Sequence, residues 1–339
     1  MASKESEFNF ELHREVIIAG GSAAAFNGNI TTYHNATKNT TFAAVAHRYQ
    51  VNIVSWDSKL EGFQYDMLIA KDQSFGAPSV VTQVKYVRMK SRPTPIMVVC
   101  TMDGFLLYEV DNKSPLTWQP IQVRETDSLK YAKGIGVCGQ CICIGDHEGV
   151  IHPMCIGDQV VRVKPTVHEH KTSIVDINDD GNGDTMVSAS ADGLIICWDN
   201  ALKVINKIST GFVAGSQPIT TTACMRKIVL CGTALGQILI YSCAGGEQLA
   251  EIMAHARIVT DIQVLHDKNL VLSCSEDTFV RVWKVTTNKS ADAAQVDCLY
   301  SHSIENAPLV GCCFNDTRAT SFCVTAYDYA SIFYFKVIK

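Results

Sequence analysis

Apolar residues along this chain gather in short runs rich in Val, Ile and Thr, and Gly, Asp, Asn or Pro bound nearly every run. Such runs predict half-buried or buried β-strands separated by turns. Seven of them share a further habit: they follow a tight turn and end on an aromatic or large apolar residue. They cover 51–57 (Trp56), 104–110 (Tyr108), 149–156 (Met154), 193–199 (Trp198), 236–242 (Tyr241), 279–285 (Trp283) and 330–337 (Phe335). Their starts step by 53, 45, 44, 43, 43 and 51 residues. Around the fourth segment the strands read 173–177, 185–190, 194–198 and 204–208.

Two stretches repeat one spacing residue for residue. His170, Ser188, Asp192 and Trp198 are separated by 18, 4 and 6, and so are His255, Ser273, Asp277 and Trp283. A period of about 40–45 residues with four strands per unit predicts a β-propeller. The expected fold is all-β: one seven-bladed ring spanning residues 1–339, because stacked units share a continuous core. The last segment leaves no residues for an outer strand, so residues 8–18 are expected to supply it and close the ring. Residues 1–7 are expected to be flexible.

Composition narrows the function classes. The chain is 47% hydrophobic and 19% charged, with a net charge of −5, and no basic stripe supports nucleic-acid binding. The N-terminus lacks the apolar core of a signal peptide, which predicts a cytoplasmic protein. The most apolar stretch, 228–244, is broken by Gly232, Thr233, Gly236 and Gln237, and reads as a hairpin with no membrane insertion. The 14 cysteines, among them Cys141, Cys143, Cys197, Cys231, Cys274 and Cys323, are expected as reduced core residues. The sequons at Asn29, Asn35 and Asn39 then carry no meaning.

Histidine, serine and aspartate invite a catalytic reading, but a catalytic serine needs a base and an oxyanion hole in a cleft. The positions here fit a structural chain of hydrogen bonds instead, Trp to Ser to His to Asp, tying a loop to its sheet. The other blades lack the set and are expected to rely on apolar packing. In the third, Pro153 is expected to make the strand end irregular. Gly134-Ile-Gly136-Val-Cys-Gly139 matches a dinucleotide fingerprint, yet a strand follows where a helix is required. Cys138-Gly-Gln-Cys141 reads as a hairpin turn, and Asp179-Asp-Gly-Asn-Gly-Asp184 as a turn without the glutamate of a calcium loop. His168-Glu-His170 and Asp146-His147-Glu148 read as loops. No cofactor and no metal site is expected.

The tetrads and Ser-Ala-Ser-Ala-Asp-Gly-Leu-Ile-Ile-Cys-Trp-Asp (188–199) resemble the WD-repeat superfamily. Four further strings are similar to the animal WD repeat-containing protein 54 family: Gly21-Ser-Ala-Ala-Ala25, Ala254-His-Ala-Arg257, Ser275-Glu-Asp-Thr-Phe-Val280 and Cys323-Val-Thr-Ala-Tyr-Asp328. The resemblance implies a monomeric, non-enzymatic propeller that scaffolds other proteins or peptides, with ciliary or flagellar assemblies as one setting. Loop residues beside the tetrad anchors are candidate contacts: Arg257 first, then Glu276 and Lys171. The bland alternative for Arg257 is a solvated charge or a pair with Glu276. Rival functions are a modified-peptide reader at the top of the channel, and an enzyme using Asp176, Asp261 and Gln263 on inner strands.

Overall fold

The computed structural model describes residues 8–18, 26–71, 76–111, 113–121, 130–157, 160–211, 219–288 and 293–338. The segment 1–7 and the string at 21–25 lie outside them. β1 (Phe10–Ile17) comes first in the chain but joins the last sheet. The first blade is β2 (Ile30–Asn35), β3 (Thr40–His47), β4 (Gln50–Asp57) and β5 (Gln64–Ile69). The second is β6 (Val81–Val87), β7 (Ile96–Thr101), β8 (Gly104–Glu109) and β9 (Pro115–Pro120). The third is β10 (Ala132–Cys138), β11 (Cys141–Asp146), β12 (Ile151–Ile156) and β13 (Val161–Val163). The fourth is β14 (Ile174–Asp179), β15 (Thr185–Ser190), β16 (Leu194–Asp199) and β17 (Val204–Ser209). The fifth is β18 (Ile219–Met225), β19 (Ile228–Thr233), β20 (Gln237–Ser242) and β21 (Gln248–Met253). The sixth is β22 (Val259–Leu265), β23 (Leu270–Ser275), β24 (Phe279–Thr287) and β25 (Ala294–Ser303). The seventh is β26 (Leu309–Phe314), β27 (Ser321–Ala326), β28 (Ser331–Val337) and, on its outside, β1.

Each inner strand lies against the next, from β2 around to β26 and back to β2, so the seven sheets form a ring. The two middle strands of each blade are buried on both faces, which is why they read as nearly unbroken apolar runs. The core is the set of wedges between neighbouring sheets. Leu272 and Val280 of the sixth blade, for example, pack with Phe322 and Phe335 of the seventh.

Close packing explains the glycine fingerprint. A Cβ on Gly134 or Gly136 would lie 2.8 Å from Ile177 of the neighbouring inner strand, and Gly134 has φ +87°. These glycines let two blades approach near the axis; they cradle no phosphate.

The third blade corrects the expectation about Pro153. β12 stays in continuous register with β11 through the Cys143–Pro153 pair. Pro153 accepts a bond from the Lys164 N–H at 2.9 Å, so its missing donor faces the outer strand, not β11. The outer strand β13 accordingly ends at Val163, and the ladder it would have shared with the proline is never needed.

Ring closure rests on β1. Its ladder with β28 runs from Phe10–Val337 to Ile17–Ser331, with a bulge between Leu12 and Arg14. Flanking bonds extend it, Ile338 N–H to Asn9 O and Ile18 N–H to Ala330 O. Phe10 is buried and meets Phe322 edge-on at 4.9 Å; Val16 and Ile18 are buried beside the first blade. We predict that Phe10→Ala costs about 3–5 kcal/mol in urea unfolding. Deleting residues 1–18 is predicted to leave an unclosed, aggregating chain with no cooperative thermal transition.

Candidate functional site

The polar side chains of the ring form two sets of staples, one near the rim and one at the axis. In the sixth blade the rim staple is the expected chain. The Trp283 indole N–H donates to Ser273 Oγ (2.9 Å), Ser273 meets His255 Nε2 (2.8 Å), and His255 Nδ1 meets Asp277 (3.1 Å). Asp277 also accepts the N–H groups of Ala256 and Phe279, and Arg281 lies 3.6 Å from its carboxylate. Burial opposes ionisation of Asp277, but these donors outweigh it and hold its carboxyl well below the usual range.

The fourth blade departs from the expected order. Trp198 donates to Ser188 (2.8 Å) and Ser188 meets His170 Nε2 (2.7 Å), but His170 Nδ1 reaches Ser190 (2.7 Å), which donates to Asp192 (2.6 Å). A fifth residue, Ser190, thus relays the chain. The donor sequence leaves one consistent proton arrangement: Ser188 donates to Nε2, Nδ1–H donates to Ser190, and the imidazole is neutral. Burial agrees, depressing His170 to about 4 against the pull of Asp192. Both histidines are buried and their nitrogens are engaged by these partners, so neither is placed to activate a nucleophile.

The axial staples were not foreseen. The inner strands β6, β18 and β22 each carry a bulge, at the steps Val81/Gln83, Ile219/Thr221 and Val259/Asp261. The skipped residue is threonine every time. Its hydroxyl donates to the next blade's inner strand: Thr82 to Ala132 O, Thr220 to Val259 O, and Thr260 to Leu309 O at 2.9 Å. On β6 and β22 the residue after the bulge accepts in return: Gln83 takes the Gly134 N–H (2.8 Å) and Asp261 the Cys312 N–H (3.0 Å). β14 has a bulge at Ile174/Asp176 that skips Val175, and there Asp176 takes the Thr222 N–H (2.8 Å). Adjacent inner strands share no ladder, so side chains must satisfy these buried backbone groups. The signal was present as an apolar-Thr-polar opening, Val81-Thr-Gln, Ile219-Thr-Thr and Val259-Thr-Asp.

This use of Asp176 and Asp261 redirects the channel reading, because each carboxylate is committed to backbone N–H groups. Burial raises Asp176, and lifts Asp261 to about 7 against the Cys312 N–H and the Gln263 amide. Burial also lowers Lys133, which faces both acids across the channel. Other decoys resolve into turns. Asp179 accepts the N–H of Gly181 and of Val137, and Asp180 those of Asn182 and Asp184. Asp146 caps its own turn through Glu148 N–H and Val150 N–H and meets His152 at 2.8 Å. Cys138 and Cys141 are cross-strand neighbours at a hairpin. One pair departs from the all-thiol expectation: Cys141 and Cys155 face each other on β11 and β12 and form a disulfide.

Arg257, Glu276 and Lys171 are all exposed on the loops that carry the tetrad histidines and aspartates. Among the described residues Arg257 and Glu276 do not pair, which removes the intra-blade alternative. Next to Arg257 the turn through Gly236 packs on the 255–257 loop, with His255 N–H bonded to Gly236 O. That turn presents Leu235, 60% exposed, and the adjoining strand end presents Met253, 73% exposed.

Seven four-stranded antiparallel blades, with His-Ser-Asp-Trp staples in two of them, define a WD-repeat β-propeller. A chain in the crystal structure of the mitotic checkpoint complex superposes with a TM-score of 0.74 at 14% identity, covering 100% of this chain and 95% of that one. The computationally designed Ika8 protein superposes at 0.60 with 17% identity over 96% of this chain and 100% of its own. The WDR54 family model matches residues 9–338, and the chain belongs to that family. It is 26% identical to WD repeat domain 54 of Rattus norvegicus over 93% of this chain and 96% of the rat protein. It is also 26% identical to WD repeat-containing protein 54 of Homo sapiens, over 92% and 95%.

The buried groups predict opposing pH slopes. His170 binds its proton less readily when folded, so its contribution is present above pH 6.5 and lost as pH falls toward 4, on the order of 3 kcal/mol. Asp261 has the raised folded value, so its contribution is present at low pH and lost as pH rises through about 7. Urea unfolding across pH 4–7 should show His170→Gln losing the rise with pH and Asp261→Asn steepening it.

Proposed function

We propose that the protein is a non-enzymatic scaffold that holds partner proteins on the face carrying the tetrad loops. WD-repeat propellers serve broadly as protein-interaction platforms and are generally non-enzymatic, which supports the coarse reading. The observation that carries the finer one is the rim junction of blades five and six. There an exposed Arg257 without an ion-pair partner among the described residues lies beside exposed Leu235 and Met253. An arginine flanked by apolar side chains on a rigid support is the composition of an interface anchor. The alternative, a modified-peptide reader at the top of the channel, meets a mixed lining, Lys85, Arg88 and Lys133 beside Asp176, Asp261 and Asp316, and Asp176 and Asp261 already accept backbone N–H groups. Twelve unpaired cysteines, eleven of them buried, suit a reducing compartment, and we place the scaffold in the cytoplasm.

Arg257→Glu is predicted to reduce recovery of partners from the native cell at least about tenfold, while shifting Tm by no more than about 2 °C. Unchanged recovery at unchanged stability removes Arg257 from the interface.

A further inference from the structure

The first blade is unlike the others at its outer margin. Between it and the second blade lies a cavity of about 470 Å³. Its walls include Phe42, Ile53, Tyr86, Met97 and Val110. Two ion pairs border it, Lys38 with Asp111 and Lys113 with Asp66, and Asp57, which accepts the Lys59 and Glu61 N–H groups of its own turn, leaves the rim with one negative charge. The lining is mixed, with Thr40 and Gln64 among the polar side chains, and Ser55 and Tyr86 stand in it only 6% and 9% exposed. Neither hydroxyl has a hydrogen-bond partner among the described residues. Both hydroxyls line the cavity and stay open to a ligand, and a cleft of this size with apolar walls and polar groups at hand is a common form of binding site.

The outer strand beside the cavity adds a second observation. The pairs Ser55–Gln64 and Ile53–Asp66 put Gln64 and Asp66 on the cavity face of β5. The alternate residues Tyr65, Met67 and Ile69 are then on its other face, 48%, 47% and 44% exposed. β17 and β25, like β5, carry one charge each, but among the described outer strands β5 alone presents three exposed apolar residues in alternation. Several of the others are guarded against pairing. β9 begins and ends on proline, β13 has three residues, β1 carries Glu11, His13, Arg14 and Glu15, and Glu251 stands in β21. β5 has one charge, Asp66, and Lys113 engages it. An open edge with a period-two apolar stripe suits one kind of occupant, another strand.

We propose that an uncharged, extended segment of a partner protein adds to the open edge of β5 as a fifth strand. It sets one aromatic side chain with a polar edge, tyrosine or tryptophan, into the cavity between the first two blades. The ring would meet Ser55 and Tyr86 with that polar edge, and Phe42 and Met97 with the aromatic body. Alternate side chains of the segment would cover Tyr65, Met67 and Ile69. The site shares with the tetrad-face reading only the premise that the ring binds proteins.

The test uses the full chain and two probes, p-cresol and the peptide acetyl-Thr-Val-Tyr-Val-Thr-Val-amide, followed by saturation-transfer NMR and fluorescence anisotropy. The peptide is expected to saturate and to bind at least about tenfold more tightly than p-cresol. N-methylation of alternate amides should remove that margin, Ser55→Leu should abolish binding of both probes, and Arg257→Glu should change neither. Met67→Lys, on the exposed face, should weaken the peptide about tenfold but not p-cresol, and it carries the test if Ser55→Leu does not fold. Absence of saturable binding, or binding that a folded Ser55→Leu or Met67→Lys leaves unaltered, overturns the proposal. A concentration-dependent dimer abolished by Met67→Lys assigns the edge to a second copy and overturns it as well.

Discussion

Neighbouring blades share no strand ladder and are joined only by packing and side-chain staples, so the integrity of the ring depends on the one sheet assembled from both ends of the chain. β1 on β28 is that sheet. Around it the two ends are tied repeatedly: Ser331 donates to Glu15, Thr325 to Asn29 and Thr32 to the Phe314 carbonyl, across 316, 296 and 282 residues. Loop-closure entropy for so long a loop grows only slowly with length, and once it is spent every wedge of the core gains its second wall. The buried aromatic group Phe10, Phe322 and Phe335 lies at the join, where the ladder alone would be weakest.

Polar contacts then hold the ring at two radii. At the rim, the tetrads fasten a loop to its own blade and leave neighbouring side chains free for solvent or partners. At the axis, bulged threonines fasten blade two to three, five to six and six to seven, and Asp176 fastens four to five. The two devices do different things, and the second gives the channel acids a structural task. Asp176 and Asp261 finish the hydrogen bonding of buried strands that cannot finish it themselves.

The blades were legible because strands two and three are buried on both faces and the third follows a tight turn and carries a large side chain near its end; Trp198 and Trp283 mark this most clearly. The position of β1 was legible from the shortage of strands at the other end. Ser190 was missed because the spacing of four familiar residues fits a chain that bypasses it, and only distance shows the relay. Pro153 misled because a missing donor matters only on the side it faces. The cavity beside Ser55 and Tyr86 left no mark in the sequence, since its walls come from strands of two blades that approach only in the folded ring.

The two proposed contact regions lie where this architecture leaves side chains outside: loop residues on one face, and the exposed apolar stripe of β5 on the first blade. Both depend on closure, because an open arc would offer neither a rigid rim nor a fixed gap between blades. Native-state hydrogen exchange read by mass spectrometry tests closure most directly. Amides of β1 and β28 should be protected to the same degree as those of β15 and β23, all opening together in the global unfolding step. Exchange of β1 far faster than that of β15, with the rest of the ring still protected, would contradict the account.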